Sequence, residues 1–225
     1  MESSMRVISV NVGLPREVPW QGKMIKTSIF KEPVDGRVTV RQLNLDGDRQ
    51  ADLAVHGGKE KAIYVYPAEH YQYWREQLPG VELAWGAFGE NLTVEGLLDT
   101  TVAIGDRLRV GTALCKVTQP RIPCFKLNIK FARTDMIQRF SDGNRSGFYL
   151  SVIEEGEVTA GDPITVLERD EQQIMVTDIA RLFAQDSADL SALKRGVAAH
   201  ELPTRLRTSL QRKIAKIERE REVQG

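Results

Sequence analysis

Residues Gly105 to Asn128 read GDRLRVGTALCKVTQPRIPCFKLN, in which two strand-like runs, GDRLRV and ALCKVTQ, flank Gly111-Thr112. Glycine at the first central position of a two-residue loop suits a type II′ turn, whose twist matches antiparallel strands. In the second run Ala113, Cys115 and Val117 share one face, so Cys115 reads as a small buried apolar residue. The hairpin then has to stop. Pro120 and Pro123 lack the amide hydrogens that a central strand needs, and the chain must leave the sheet at the end of ALCKVTQ. Cys124 follows on that stiff bend, between Arg121 and Lys126.

The same period-two pattern extends outward from this hairpin, from Arg6 to about Glu168, in short runs punctuated by glycine, proline and aspartate. RVISVNV, MIKTSIF and RVTVRQL read as strands, with Asp35-Gly36 as a turn ahead of the third. GFYLSVI and DPITVLE flank EEGEVTAG in the same manner. Two helices are expected inside this region. One runs from Pro67 to about Leu78 and is closed by Pro79-Gly80; a shorter one is TDMIQRF, with Thr134 as its N-cap. After about Asp170 the period changes to 3.6. TDIARLFAQD, ADLSALKRGVAAHE and PTRLRTSLQRKIAKIERE read as three helices, the last with Leu206, Leu210, Ile214 and Ile217 along one stripe. The expected fold is mainly β with a helical appendage: a β-barrel or sandwich over 1–170 and a three-helix segment over 171–225.

The chain has 225 residues, enough for a self-sufficient core, and its 31 basic residues balance 31 acidic ones. No global field would gather nucleic acid or anionic lipid, so a charged ligand must be met locally. No apolar run approaches the roughly 18 residues that span a bilayer, and MESSMRVISVNVG lacks a basic start before an apolar core, so a cytoplasmic protein is expected. Two cysteines in a chain this long point to reduced thiols rather than a disulfide framework. His56, His70 and His200 show no paired ligand spacing for zinc, and there is no GxSxG elbow for a serine nucleophile.

Cys124 has two readings. A backbone held by two prolines loses little entropy in presenting a side chain, and nearby cations favour negative charge on sulfur, which suits a reactive or ligating thiol. The alternative is a loop cysteine packed under the rim of the sheet. HGGKEKAIYVYP, from His56, joins a histidine to two glycines whose backbone approaches a ligand closely, with Lys59 and Lys61 as phosphate partners. A turn with a solvated histidine is its rival. FGENL offers Glu90 as a partly buried carboxylate or an ordinary loop glutamate, and GNRSGFY places Arg145 in an anion-reading loop or a common turn. One thiolate is enough for a soft metal whose other ligands arrive with a cofactor.

DGDRQADLAVHGGKEKAIYVYPAEHYQYW, FGENLTVEGL, GDRLRVG, TQPRIPCFKLN, SGFYLSVIEEG and AGD follow one another in the order and spacing of the MOSC domain, named after the C-terminal domain of molybdenum cofactor sulfurase. The chain resembles that family over nearly its full length, and in particular the YiiM-type branch with a three-helix C-terminal segment. The resemblance implies a β-barrel carrying the molybdenum cofactor, a pterin dithiolene with a phosphate tail, in which Cys124 of the PRxPC motif is the metal ligand. It implies that His56 and Glu90 are the polar catalytic pair beside the metal. Gly57, Gly58 and Asn91 of the same motifs join Arg121, Lys126, Lys59, Lys61 and Arg145 as the expected cofactor-binding set.

Members of that branch are similar to enzymes that reduce N-hydroxylated compounds, such as 6-hydroxylaminopurine, to amines. A carrier or sulfur-transfer module using the same cysteine is the alternative, and a metal-free cysteine-dependent module is a third. The chain shows no Rossmann fingerprint and no cysteine cluster for iron and sulfur, so an external flavin-containing reductase is the expected electron donor. The three-helix tail is expected to dock that donor or to form a homodimer contact. Its last helix is rich in Arg and Lys but lacks aromatic stacking residues, so nucleic acid is not an expected partner.

Overall fold

The computed structural model describes residues 5–51, 57–184 and 189–224. β1 (Arg6–Val12) buries Val7 and Val10 completely. β2 (Arg16–Trp20) and β3 (Lys23–Thr27) form a separate hairpin with Arg16 opposite Thr27. The MIKTSIF run is therefore strand only as far as Thr27. There the Thr27 hydroxyl accepts the Ile29 amide at 3.2 Å, a local bond that competes with continuing the ladder. β4 (Glu32–Pro33) returns to pair with the end of β1, and β5 (Val38–Val40) is the whole strand contribution of RVTVRQL.

β6 (Ile63–Pro67) is buried throughout, and α1 (Glu69–Gln77) follows at once. Pro67 was expected to open that helix. It instead ends the strand, paired with Val94 of β7 (Leu92–Glu95), because its missing amide is tolerated at the end of a ladder as well as at a helix start. β8 (Arg107–Val110) and β9 (Ala113–Pro120) form the expected hairpin: Val110 pairs with Ala113, and Gly111 sits at φ +58°, where a Cβ would run into the Glu157 carbonyl. The chain then enters α2 (Phe125–Phe131), which the sequence reading did not include. α3 (Met136–Gly143) has Asp135 rather than Thr134 at its N-cap position.

β10 (Phe148–Glu154), β11 (Gly156–Val158) and β12 (Ile164–Glu168) complete the strands. β11 pairs with β5. The eight-stranded sheet has the order β12-β8-β9-β10-β6-β7-β1-β4; β6 and β7 run parallel and the other neighbours antiparallel. Its terminal strands β12 and β4 are not paired with each other among the described residues, so no ladder closes the expected barrel. Instead the start of β1 reaches the start of β12: Arg6 bridges to Pro163, Val7 donates to the Asp162 carbonyl at 2.9 Å, and Ile164 donates to the Met5 carbonyl at 2.9 Å.

The three expected tail helices are present as α4 (Val176–Ala184), α5 (Leu190–Ala198) and α6 (Thr204–Gln224). Asp189 caps α5 by accepting the Ala192 amide at 3.0 Å. Ile179, Leu182, Leu193 and Leu210 are buried in the same apolar cluster as Val117, Phe148 and Leu150 of the sheet. Each such side chain stabilises by about 1.5–3 kcal/mol when fully buried, so the tail helices are held against the sheet by packing. A second, aromatic cluster holds Tyr66, Tyr71, Trp74, Phe88 and Phe140, with Trp74 stacked on Phe140 at 4.7 Å. No helix among the described residues is long and apolar enough to cross a membrane.

Candidate functional site

Cys124 occupies the N-cap position of α2 with extended backbone, φ −140° and ψ 168°, and its side chain makes no capping bond. It is half-buried and lines a cleft together with Arg121, Ile122 and Lys126 from its own segment, Ser28 and Lys31 from the chain after β3, and Tyr64 of β6. The proline-bounded bend thus carries the thiol out of the sheet, as its sequence demands. Cys115, by contrast, is fully buried on β9, and burial pushes its thiol up to about 12.

The Arg121 guanidinium is also buried. It donates to the Phe88 carbonyl and lies 4.7 Å from the centroid of the Tyr64 ring. The Tyr64 hydroxyl donates to the Ser146 carbonyl at 2.7 Å, so a hydrogen bond fixes the ring beneath Arg121. Lys31 and Asp48 form a buried ion pair in the cleft wall. Burial pulls the Lys31 ammonium below its usual range, opposed by the Asp48 carboxylate beside it. Asp48 further accepts the Gly13 amide at 2.9 Å and the Asn91 side-chain amide at 2.9 Å.

Asn91 lines the cleft, and its side chain ties two elements together: Oδ1 accepts the Tyr64 amide at 3.0 Å while Nδ2 holds Asp48. Glu90 turns the other way. It is fully buried and accepts from the Tyr71 hydroxyl, the Gly86 amide at 2.8 Å, the Phe88 amide at 3.1 Å and the Thr93 hydroxyl at 3.0 Å. Its carboxylate is absent from the cleft wall, so the structure does not set it facing Cys124; it fixes the loop whose Phe88 carbonyl receives Arg121. Gly86 in that loop has φ +82°, and a Cβ there would lie 2.9 Å from the Lys31 carbonyl, so the loop packs directly on the chain after β3.

The remaining expected residues divide. Lys61 lines the cleft, 5.9 Å from the Tyr149 ring centroid. Lys59, in the single 3₁₀ turn Lys59–Lys61, is exposed and outside the wall, because successive side chains of such a turn point in different directions. The Gly58 amide donates to Gln50 Oε1 at 2.9 Å. Gly57 borders an adjoining groove. Arg145 is not brought to the cleft: it lies 4.1 Å from the Tyr73 ring centroid and donates to the Gly143 carbonyl at 2.8 Å. The Tyr66 hydroxyl holds the Arg145 carbonyl at 2.8 Å, on the side of the aromatic cluster. His56 lies outside the described residues.

Several cleft residues had no place in the sequence reading. Asp48 and Gln50 sit inside the DGDRQADLAVHGG segment, where polar residues clustered ahead of the glycines were a usable signal. Lys31 and Ser28 carry no such signal, since only the tertiary approach of the chain after β3 puts them here. The Ser28 hydroxyl is buried in the cleft wall and has no hydrogen-bond partner among the described residues.

The sequence profile of the MOSC domain matches residues 52–165. The chain belongs to the MOSC domain family. It is 42% identical over 207 residues to the protein YflK of Bacillus subtilis (strain 168), covering 92% of this chain and 93% of that one. It is 43% identical over 145 residues to the protein YiiM of Escherichia coli (strain K12), covering 64% of this chain and 65% of that one. A Gibberella moniliformis protein named reductase is 34% identical over 175 residues, covering 76% of this chain and 31% of its own length. Among solved structures, YiiM from Geobacillus stearothermophilus superposes with a TM-score of 0.76 at 32% identity, covering 93% of this chain and 99% of that one.

The MOSC domain is generally a molybdenum cofactor-binding domain. The donor set of this cleft fits such a group. Its wall offers one soft ligand in Cys124, buried positive charge from Arg121, the half-buried Lys126 and Lys61, and an unsatisfied buried hydroxyl at Ser28 that a polar ligand edge would complete. A dithiolene and a phosphate tail need these types of partner: a thiolate beside the metal and cations for the anion.

Proposed function

We propose that this protein reduces N-hydroxylated compounds, including N-hydroxylated purine bases such as 6-hydroxylaminopurine, to the corresponding amines. Cys124 is the protein's ligand to the molybdenum cofactor, with Arg121, Lys126, Lys61 and Ser28 as its polar partners. The observation that carries this reading is the Cys124 thiol, half-buried and free of any capping bond, in a cation-lined cleft of a MOSC fold. The bound cofactor would supply a two-electron centre able to take up the oxygen of an N–O bond.

The reaction consumes two electrons and two protons and releases water with the amine. The electrons come from an external flavin-containing reductase. His56, the residue before Gly57 in the sequence, is the side chain proposed to hand on a proton. Glu90 acts through Gly86 and Phe88 as a positioning residue. Arg121, held over Tyr64, keeps a permanent positive charge next to the thiol segment.

The test uses protein purified from a host that makes the cofactor. Molybdenum is measured by elemental mass spectrometry, and 6-hydroxylaminopurine turnover is followed with an artificial electron donor. The wild type should hold about one metal per chain and turn over, whereas Cys124→Ser should lose both. A variant that kept metal and turnover would refute the assignment. A wild type that held metal without turnover would point to a carrier or sulfur-transfer module instead.

A further inference from the structure

Cys124 borders two clefts. Together with Ile122, Lys61 and Tyr149 it also forms one side of a groove whose opposite side is Phe183 of α4 and Leu206 and Ser209 of α6. The tail helices, expected only to dock a partner or a second copy, therefore complete a wall within reach of the thiol. The two clefts share Lys61, Ile122, Cys124 and Tyr149 and differ in the rest of their lining. The first contains the buried Lys31–Asp48 pair, Arg121 and the unsatisfied Ser28 hydroxyl, which suit a charged group held permanently. The second joins Pro123, Phe183 and Leu206 to Ile122 and Tyr149, which line both, and its polar lining includes Glu60, Lys61, Gln119 and Arg205.

We propose that this second groove is the substrate pocket, that it takes planar aromatic bases bearing an N-hydroxyl group, and that α6 sets its width. The proposal rests on the reading of Cys124 as the metal ligand of a reductase. Tyr149 and Phe183 offer faces for a flat ring. Gln119, its amide nitrogen on the Glu60 carbonyl at 3.3 Å, gives that wall a fixed hydrogen-bonding edge for a heterocycle. The shared Cys124 places the exocyclic nitrogen of such a ring next to the neighbouring cleft, where the cofactor is proposed to lie. Ser209 is half-buried on α6, facing the groove, so a larger side chain there narrows the pocket without touching the first cleft.

The experiment compares wild type with Ser209→Trp and Phe183→Leu. Tryptophan is an ordinary helix residue in propensity, and the leucine keeps apolar volume while removing the ring. Two readouts are taken: steady-state kinetics of the cofactor-loaded protein, and calorimetric binding of 6-hydroxylaminopurine to the cofactor-free protein. In Ser209→Trp we expect KM to rise at least tenfold with kcat within about twofold and molybdenum content unchanged. Saturable binding to the wild type should vanish in Ser209→Trp and weaken about fivefold in Phe183→Leu. Equal binding by wild type and both variants, or no binding to the wild type, overturns the groove assignment even if turnover proceeds. Binding that is lost in Ser209→Trp, in a protein that shows no turnover, upholds the groove and refutes the reductase reading.

Discussion

The guanidinium of Arg121 rests over the ring of Tyr64, 4.7 Å from its centroid, and also donates to the Phe88 carbonyl. A planar, always-charged group can stack and donate in its own plane at once; an ammonium cannot. Arg121→Lys should therefore lose about 1–3 kcal/mol of stability through the unpaired carbonyl and the lost stacking. Its cofactor should also dissociate faster. Urea unfolding and pterin fluorescence after gel filtration measure the two effects, and an unchanged unfolding midpoint would contradict the first.

Cys124→Ser separates ligation from folding. The side chain sits at the N-cap of α2 without a capping bond, and serine is a preferred residue there. The variant should be metal-free yet as stable as the wild type, or more stable by about 0.5–1 kcal/mol. Thermal unfolding of both cofactor-free proteins checks this; a lower midpoint for the serine variant would show that the thiol contributes packing that its half-buried position does not suggest.

Glu90→Gln should destabilise. At least one donor facing the carboxylate would meet the new amide NH2 group, which costs about 1–3 kcal/mol for a buried unsatisfied group. Burial pushes the Glu90 carboxyl above its ordinary value of 4.5, against the pull of the Tyr71 hydroxyl and the Gly86 amide. With a folded pKa raised above the unfolded one, the stability linked to this proton is fully present below pH 4.5 and is lost as pH rises through the folded value. Wild-type stability should accordingly fall across that interval by an amount missing from Glu90→Gln. Urea midpoints at a series of pH values provide the measurement, and parallel pH curves would exclude the effect.

Lys31→Met leaves Asp48 buried without its cation and should cost about 3–5 kcal/mol. Adding Asp48→Asn should restore part of this loss, since it removes the uncompensated charge and its amide oxygen can still accept the Gly13 amide, although its NH2 group then faces the Asn91 side-chain amide. A double-mutant cycle from denaturant midpoints gives the coupling, and strict additivity would mean that the pair is not energetically linked.

Ser28→Ala removes a hydroxyl that is buried and unsatisfied among the described residues. Folding stability should stay level or rise slightly, because no protein hydrogen bond is lost. Cofactor retention should drop severalfold, read as the pterin-to-protein ratio after dialysis; an undiminished ratio would remove Ser28 from the set of cofactor partners.

The hairpin of β8 and β9 and the exit at the two prolines were legible because both are local. Gly111-Thr112 sets the turn, and Pro120 cannot extend the ladder beyond Phe148. The Cys124 bend followed from the same residues. α2 was not legible: FKLNIKF is too short to show a helical period and begins two residues after Pro123. Pro67 was misplaced because proline fits the end of a strand and the start of a helix equally, and only the pairing with Val94 distinguishes them. The inward turn of Glu90 depends on Tyr71, 19 positions away, and the Lys31–Asp48 pair joins side chains 17 positions apart. Such contacts are properties of the folded arrangement, and no window of sequence contains them. Arg145 had the right chemistry and the wrong neighbours, since Tyr66 and Tyr73 take its backbone and its charge.

Because one sulfur forms part of two walls, a bulky adduct on it would obstruct both chambers together. Alkylation of Cys124 should therefore inactivate molecule by molecule, each one blocked completely, so that residual rate falls in proportion to labelled protein with no population of intermediate affinity. Protection by either occupant, the tightly held group or the exchanging one, would then slow the same chemical event.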